Sequence, residues 1–129
     1  MDGGVIMLAI SLAVNILVLV PVCVNLARST LRMSKVFGPR SPARDILFCV
    51  YMAILVASIL LLVMLRTGSR LLATHASGAL LTVQIIYKLL SCVVVGGGVP
   101  DKLPFNPVVA SNAAIAVLHL VSLIVCFVQ

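Results

Sequence analysis

The sequence predicts an all-α integral membrane protein, with four transmembrane helices in an antiparallel bundle and a short basic interfacial helix after the first. Of its 129 residues, 63% are hydrophobic and 9% are charged, whereas ordinary globular domains are about 45–50% apolar. The mean hydropathy is +1.30. A soluble fold of this size cannot bury so much apolar surface, so lipid is the expected solvent for most of the chain.

Four apolar stretches are each long enough to cross a bilayer. A helix rises about 1.5 Å per residue, so about 20 apolar residues cross a hydrocarbon core of roughly 30 Å. The stretches cover residues 5–27, 46–65, 71–95 and 108–128 of a single domain over 1–129. The first differs from a signal peptide, because no Lys or Arg precedes it and its apolar run exceeds the usual 7 to about 15 residues. We expect it to remain as an anchor.

Capping residues and prolines mark the starts of the second and fourth spans. Ser41 and Pro42 supply a cap and a first-turn proline, and Asp45 lies where a carboxylate complements the positive end of a helix. Asn106 and Pro107 supply the same signals for the fourth span.

Glycines mark the ends of the second and third spans. Residues 66–70 form a short connection with a glycine stop, which predicts an antiparallel hairpin of spans two and three. The glycine run 96–98 ends the third span, because a helix continues through glycines only at a cost.

Basic residues are concentrated after the first span. Five of the nine lie there: Arg28, Arg32, Lys35, Arg40 and Arg44. Lys102 falls on the same side of the membrane, and the opposite side has only Arg66 and Arg70. Because cytoplasmic loops carry an excess of Lys and Arg, loop 28–45 is predicted to be cytoplasmic. Both termini are then outside, in the periplasm if the chain lies in a bacterial inner membrane.

Arg28, Arg32 and Lys35 recur at helical spacing within this loop. The spacing predicts a short interfacial helix whose basic side chains contact anionic lipid headgroups, together with Arg40 and Arg44. A plain positive-inside signal without specific lipid recognition is the simpler explanation. No nucleic-acid partner is expected, because this charge addresses a membrane surface.

Asn15 and His119 are predicted to lie at one depth near the bilayer midplane, each about ten residues from the outer end of its span. Ser58 and Thr82 fall within about one turn of that depth. Polar groups are costly there unless they pair, so these side chains should face inward. We interpret them as packing contacts and predict no cofactor; the alternative is that His119 ligates haem or a chlorophyll-type pigment.

Lys88 is the one charged residue inside a predicted span. Its stem is long enough to extend toward the cytoplasmic headgroups. Alternatively, it contacts Asp45 or Asn112 and thereby holds the second, third and fourth spans together. In a transporter, the same lysine would bind an anion or relay protons.

Enzymatic motifs are absent from the sequence. It has no HExxH pattern and no phosphate-binding loop, and its three acids are Asp2, Asp45 and Asp101. Paired carboxylates for acid and base catalysis are therefore not expected, and the chain is predicted not to be an enzyme. A proton-coupled cation exporter is also disfavoured, because it needs a membrane-embedded carboxylate.

Each span carries two small residues four positions apart, which allow close helix packing. These pairs are Ala9 and Ala13, Ala53 and Ala57, Gly78 and Thr82, and Ala110 and Ala114. The leading hypothesis is a small non-catalytic accessory or assembly subunit of an energy-converting or transport complex, with other transmembrane subunits and anionic lipids as partners. The alternative is a small homo-oligomeric channel or transporter with a polar pathway at Asn15, His119, Lys88 and Asn112.

Overall fold

The computed structural model describes residues 2–96 and 106–128. Its helices are α1 (Gly3–Ala27), α2 (Leu31–Phe37), α3 (Pro42–Thr67), α4 (Arg70–Gly96) and α5 (Pro107–Phe127). The four long ones, α1, α3, α4 and α5, are long and apolar enough to cross a membrane, and the described ranges contain no strand. The all-helical class and the four apolar helices are therefore confirmed. Gly97, Gly98 and Lys102 lie outside the described residues.

The two predicted caps are present at the starts of α3 and α5. The Ser41 hydroxyl accepts a hydrogen bond from the Arg44 amide at 3.2 Å, and Pro42 follows in the first turn. The Asn106 side chain accepts one from the Val108 amide at 3.0 Å, again followed by a first-turn proline. Each cap satisfies an amide that has no partner within its own helix.

The connection between α3 and α4 is shorter than predicted. α3 continues to Thr67 and α4 begins at Arg70, so that Gly68 and Ser69 alone lie between them. The Gly68 amide still donates to the Met64 carbonyl at 2.9 Å. This backbone bond completes the last turn of α3 and carries the helix past its predicted end.

The helices pack in a connected set, with α1 against α3 and α5, and α4 against α5 and α3. Along α1, Leu8 and Leu12 belong to one apolar cluster, and Leu19 and Cys23 belong to another. Between these clusters lie buried polar residues. Large aliphatic side chains cover the outward faces of the four long helices, as expected for a surface that meets lipid.

The tightest approach between helices is at Gly4, which is not in any predicted small pair. A Cβ added to Gly4 would lie 2.7 Å from the Cα of Cys126, so the backbones of α1 and α5 are close there. At Gly78, a Cβ would meet the ring of Phe127 at 2.8 Å, and this predicted small residue is thus also used for packing.

Candidate functional site

A buried polar layer formed by α1, α3 and α5 is the first candidate site. It consists of Ser11, Asn15, Ser58, His119 and Ser122, each no more than 2% exposed. Polar side chains buried to this extent are costly unless they bond to one another. Their hydrogen bonds therefore decide what the layer can do.

Both ring nitrogens of His119 have partners within this layer. Nε2 lies 3.1 Å from Oδ1 of Asn15, and Nδ1 lies 3.2 Å from Oγ of Ser11. An amide oxygen only accepts, so in a neutral imidazole Nε2 donates to Asn15 and Nδ1 accepts from the Ser11 hydroxyl. The structure thus places the two side chains predicted to share a depth in direct contact.

The remaining bonds extend this pattern to both sides. The Asn15 amide nitrogen donates to Oγ of Ser58 at 3.4 Å, and the Ser122 hydroxyl, 2.8 Å from Oγ of Ser11, donates to it. One consistent assignment of protons therefore satisfies the whole layer. The arrangement is suited to holding α1, α3 and α5 together, and it leaves neither nitrogen of His119 without a partner.

Sequence reasoning missed two members of the layer and included one residue that is elsewhere. Ser11 precedes Asn15 by four residues and Ser122 follows His119 by three, so helical spacing was the available signal. Thr82 is exposed, and its hydroxyl donates to the Gly78 carbonyl of its own helix at 2.8 Å. It takes no part in the layer.

The second candidate site is built around Lys88, which is only 5% exposed. Its ammonium donates to Oδ1 of Asn112 at 3.3 Å and lies 5.0 Å from the centre of the Tyr87 ring. The Asn112 amide nitrogen donates in turn to Oγ of Ser91 at 2.9 Å. Lys88 is therefore enclosed by the helices and not extended along their surface.

Asp45, the other predicted partner of Lys88, lies elsewhere. Its carboxylate pairs with Nε of Arg40 at 3.2 Å, and its side chain is 54% exposed. An ion pair this exposed contributes little to stability. Of the two predicted partners, only Asn112 is in contact with Lys88.

The five basic residues predicted at lipid headgroups are not in equivalent positions. Four are exposed: Arg28, Arg32, Lys35 and Arg40. Arg44 is 4% exposed, and its Nη1 donates to the Gly38 carbonyl at 2.8 Å and to Oγ of Ser34 at 3.3 Å. Because the turn between α2 and α3 brings two acceptors within its reach, Arg44 ties this turn together and does not face outward as predicted.

A cavity of about 410 Å³ lies between α1, α2 and α5, with Tyr51 of α3 and Lys88 of α4 in its wall. Most of the wall is apolar. Its polar lining side chains include Asn25, Arg32, Lys88, Ser111 and Asn112. The cavity therefore combines an apolar surface with positively charged groups.

Within residues 2–96 and 106–128, no three His, Cys, Asp or Glu side chains are grouped closely enough to hold a metal ion. Comparison of the chain with protein-family models, with curated proteins and with solved structures finds no match. Its function therefore has to be inferred from its own geometry.

Proposed function

We propose that this chain is a small non-catalytic accessory or assembly subunit of a larger membrane complex, with its four long helices in an antiparallel bundle. The outward face of α3 is the observation that carries the proposal. Only 17% of the most apolar stretch of α3 is buried, against 33% for α1. This face is available to helices of other subunits, because close packing drives helix association in lipid.

Small residues support docking on the same face. Ala53 is exposed and Ala57 is half-buried, so this pair is open to a neighbouring helix. Ala114 of α5 is also exposed. The polar groups of the central layer, by contrast, are satisfied by each other and leave the outer surface aliphatic.

Identification of co-purifying chains tests the proposal. The chain purified in a mild detergent should carry unrelated membrane subunits in fixed stoichiometry, measured by mass spectrometry. Ala53→Leu should lower their recovery, because the larger side chain separates α3 from a docked helix. Ala43→Leu is the control, since Ala43 is exposed at the start of α3, before the apolar span. Recovery of copies of this chain alone would contradict the proposal.

A small homo-oligomeric channel or transporter is the second candidate, and the cavity at Lys88 and Asn112 favours it. The other half of its proposed pathway is Asn15 and His119, which are 2% and 0% exposed. Passage through that half would require their mutual hydrogen bond to break. The accessory role needs no such opening.

We propose that His119 is a packing residue and that the chain holds no haem or chlorophyll-type pigment. A metal bond at the ring would take one nitrogen away from Asn15 or Ser11, leaving a buried polar atom without its partner. The hydrogen-bonded layer supports the packing role.

We further propose a bacterial inner-membrane location, with loop 28–45 cytoplasmic, both termini periplasmic and α2 at the membrane interface. The amphipathic character of α2 supports its interfacial position, because Met33 is 8% exposed while Leu31 is 74% exposed. Exposed Arg28 and Arg32 at this end support the orientation.

Cysteine labelling tests the orientation. In a chain whose native cysteines are replaced, an impermeant maleimide applied to intact cells should label Gly3→Cys and Ser69→Cys but not Pro39→Cys. All three positions are exposed. Permeabilised cells provide the control, since all three should then react. Labelling of Pro39→Cys alone on intact cells would reverse the orientation.

A further inference from the structure

We infer that the cavity beside Lys88 binds an anionic membrane phospholipid, with the headgroup phosphate at the Lys88 ammonium and an acyl chain along the apolar wall. This inference goes beyond the proposed subunit function and does not depend on it. It concerns a defined cavity and not the exposed basic residues of the loop.

Lys88 lacks an acidic partner within residues 2–96 and 106–128. Asp2 caps the start of α1, and Asp45 pairs with Arg40. Asp101 lies outside the described residues. An ammonium surrounded by neutral protein groups is costly inside a membrane, so binding of an external anion is favourable.

The bonding of Lys88 leaves donors for such an anion. An ammonium has three N–H groups, and Oδ1 of Asn112 accepts one of them at 3.3 Å. The bond from Asn112 to Ser91 keeps that oxygen toward Lys88. Since Lys88 also lines the cavity, its other N–H groups are available to phosphate oxygens there.

The charge of the cavity wall selects for an anion. Its charged lining residues are Lys88 and Arg32, both positive, and the lining includes no acid from the described ranges. The volume of about 410 Å³ is within the range of about 300–1,000 Å³ that is usual for ligand sites. Two positive charges in one cavity complement a phosphate group.

The position of the cavity selects for a lipid. Its wall includes Leu17, which is 74% exposed, together with exposed Pro21 on α1 and exposed Ser111 on α5. The cavity therefore opens on the outward face between α1 and α5, where the acyl chains of the bilayer lie. Val18 and Val22 extend the wall with apolar side chains. Basic pockets between transmembrane helices are known sites for anionic headgroups.

Native mass spectrometry of the full chain tests the inference. From micelles that contain equal amounts of phosphatidylglycerol and phosphatidylcholine, the wild-type chain should retain phosphatidylglycerol preferentially. Lys88→Gln should lower its retention about tenfold, the equivalent of one charged contact, whereas Lys88→Arg should keep most of it. Ser111→Trp should also lower retention, because it blocks the mouth while Lys88 is unchanged.

Lys35→Gln is the matched control, since it removes an exposed positive charge from α2 outside the cavity. It should leave retention unchanged, and an equal loss in Lys35→Gln and Lys88→Gln would overturn the inference. Equal retention of both phospholipids would do the same. Preferential retention of added oleate would assign the cavity to free fatty acids instead. Increased retention in Asp101→Asn would identify Asp101 as the counter-ion and would also overturn it.

Discussion

Replacement of Gly4 by Ala is expected to lower the free energy of unfolding by about 1–3 kcal/mol. The new Cβ would lie 2.7 Å from the Cα and 3.2 Å from the Cβ of Cys126. A backbone atom cannot rotate away as the tip of a side chain does, so α1 and α5 must move apart. In lipid, the loss is not offset by a hydrophobic driving force between helices, because association depends on close packing.

The measurement is an unfolding titration in mixed micelles, followed by circular dichroism. Gly3→Ala is the matched control, because Gly3 is the neighbouring residue of α1 and a Cβ there meets nothing within 4 Å. Its effect should stay within about 0.5 kcal/mol. Equal stability of the two variants would show that α1 and α5 are not in close contact at Gly4.

Replacement of His119 by Leu is expected to lower the free energy of unfolding by about 1 kcal/mol, the sum of two interhelical hydrogen bonds at their usual strength in membranes. The change leaves Oδ1 of Asn15 and the hydroxyl of Ser11 without the ring nitrogens that they contact. His119→Gln should cost less, because an amide keeps both a donor and an acceptor.

His75→Leu is the control for the loss of an imidazole. His75 is exposed, and its Nδ1 lies 2.8 Å from the Leu71 carbonyl of the same helix, so no interhelical hydrogen bond is lost. The double variant Asn15→Leu, His119→Leu should be less destabilised than the sum of the two single variants. Additive effects would separate the two residues energetically.

The same variants test the alternative role of His119. The purified wild-type chain should be colourless, since both nitrogens of the ring are hydrogen-bonded within the protein. A visible absorption band that accompanies the wild-type chain and disappears in His119→Gln would identify His119 as a pigment ligand.

The sequence by itself determined the four long helices and the starts of two of them. Hydropathy along the chain locates an apolar span whatever its neighbours are, because its solvent is lipid. The caps at Ser41 and Asn106 are equally local, since each bonds to an amide within three residues. Counting residues from span ends also assigned one depth to Asn15 and His119, which are hydrogen-bonded in the structure.

Only the tertiary structure decided which polar groups meet. It paired Lys88 with Asn112 and not with Asp45, buried Arg44 in a turn, and left a cavity beside Lys88. It also brought Gly4 against α5. Residue counting measures height along a helix, but neighbours across an interface depend on the rotation of each helix about its axis and on how two helices cross. Those quantities are set by packing of the whole chain.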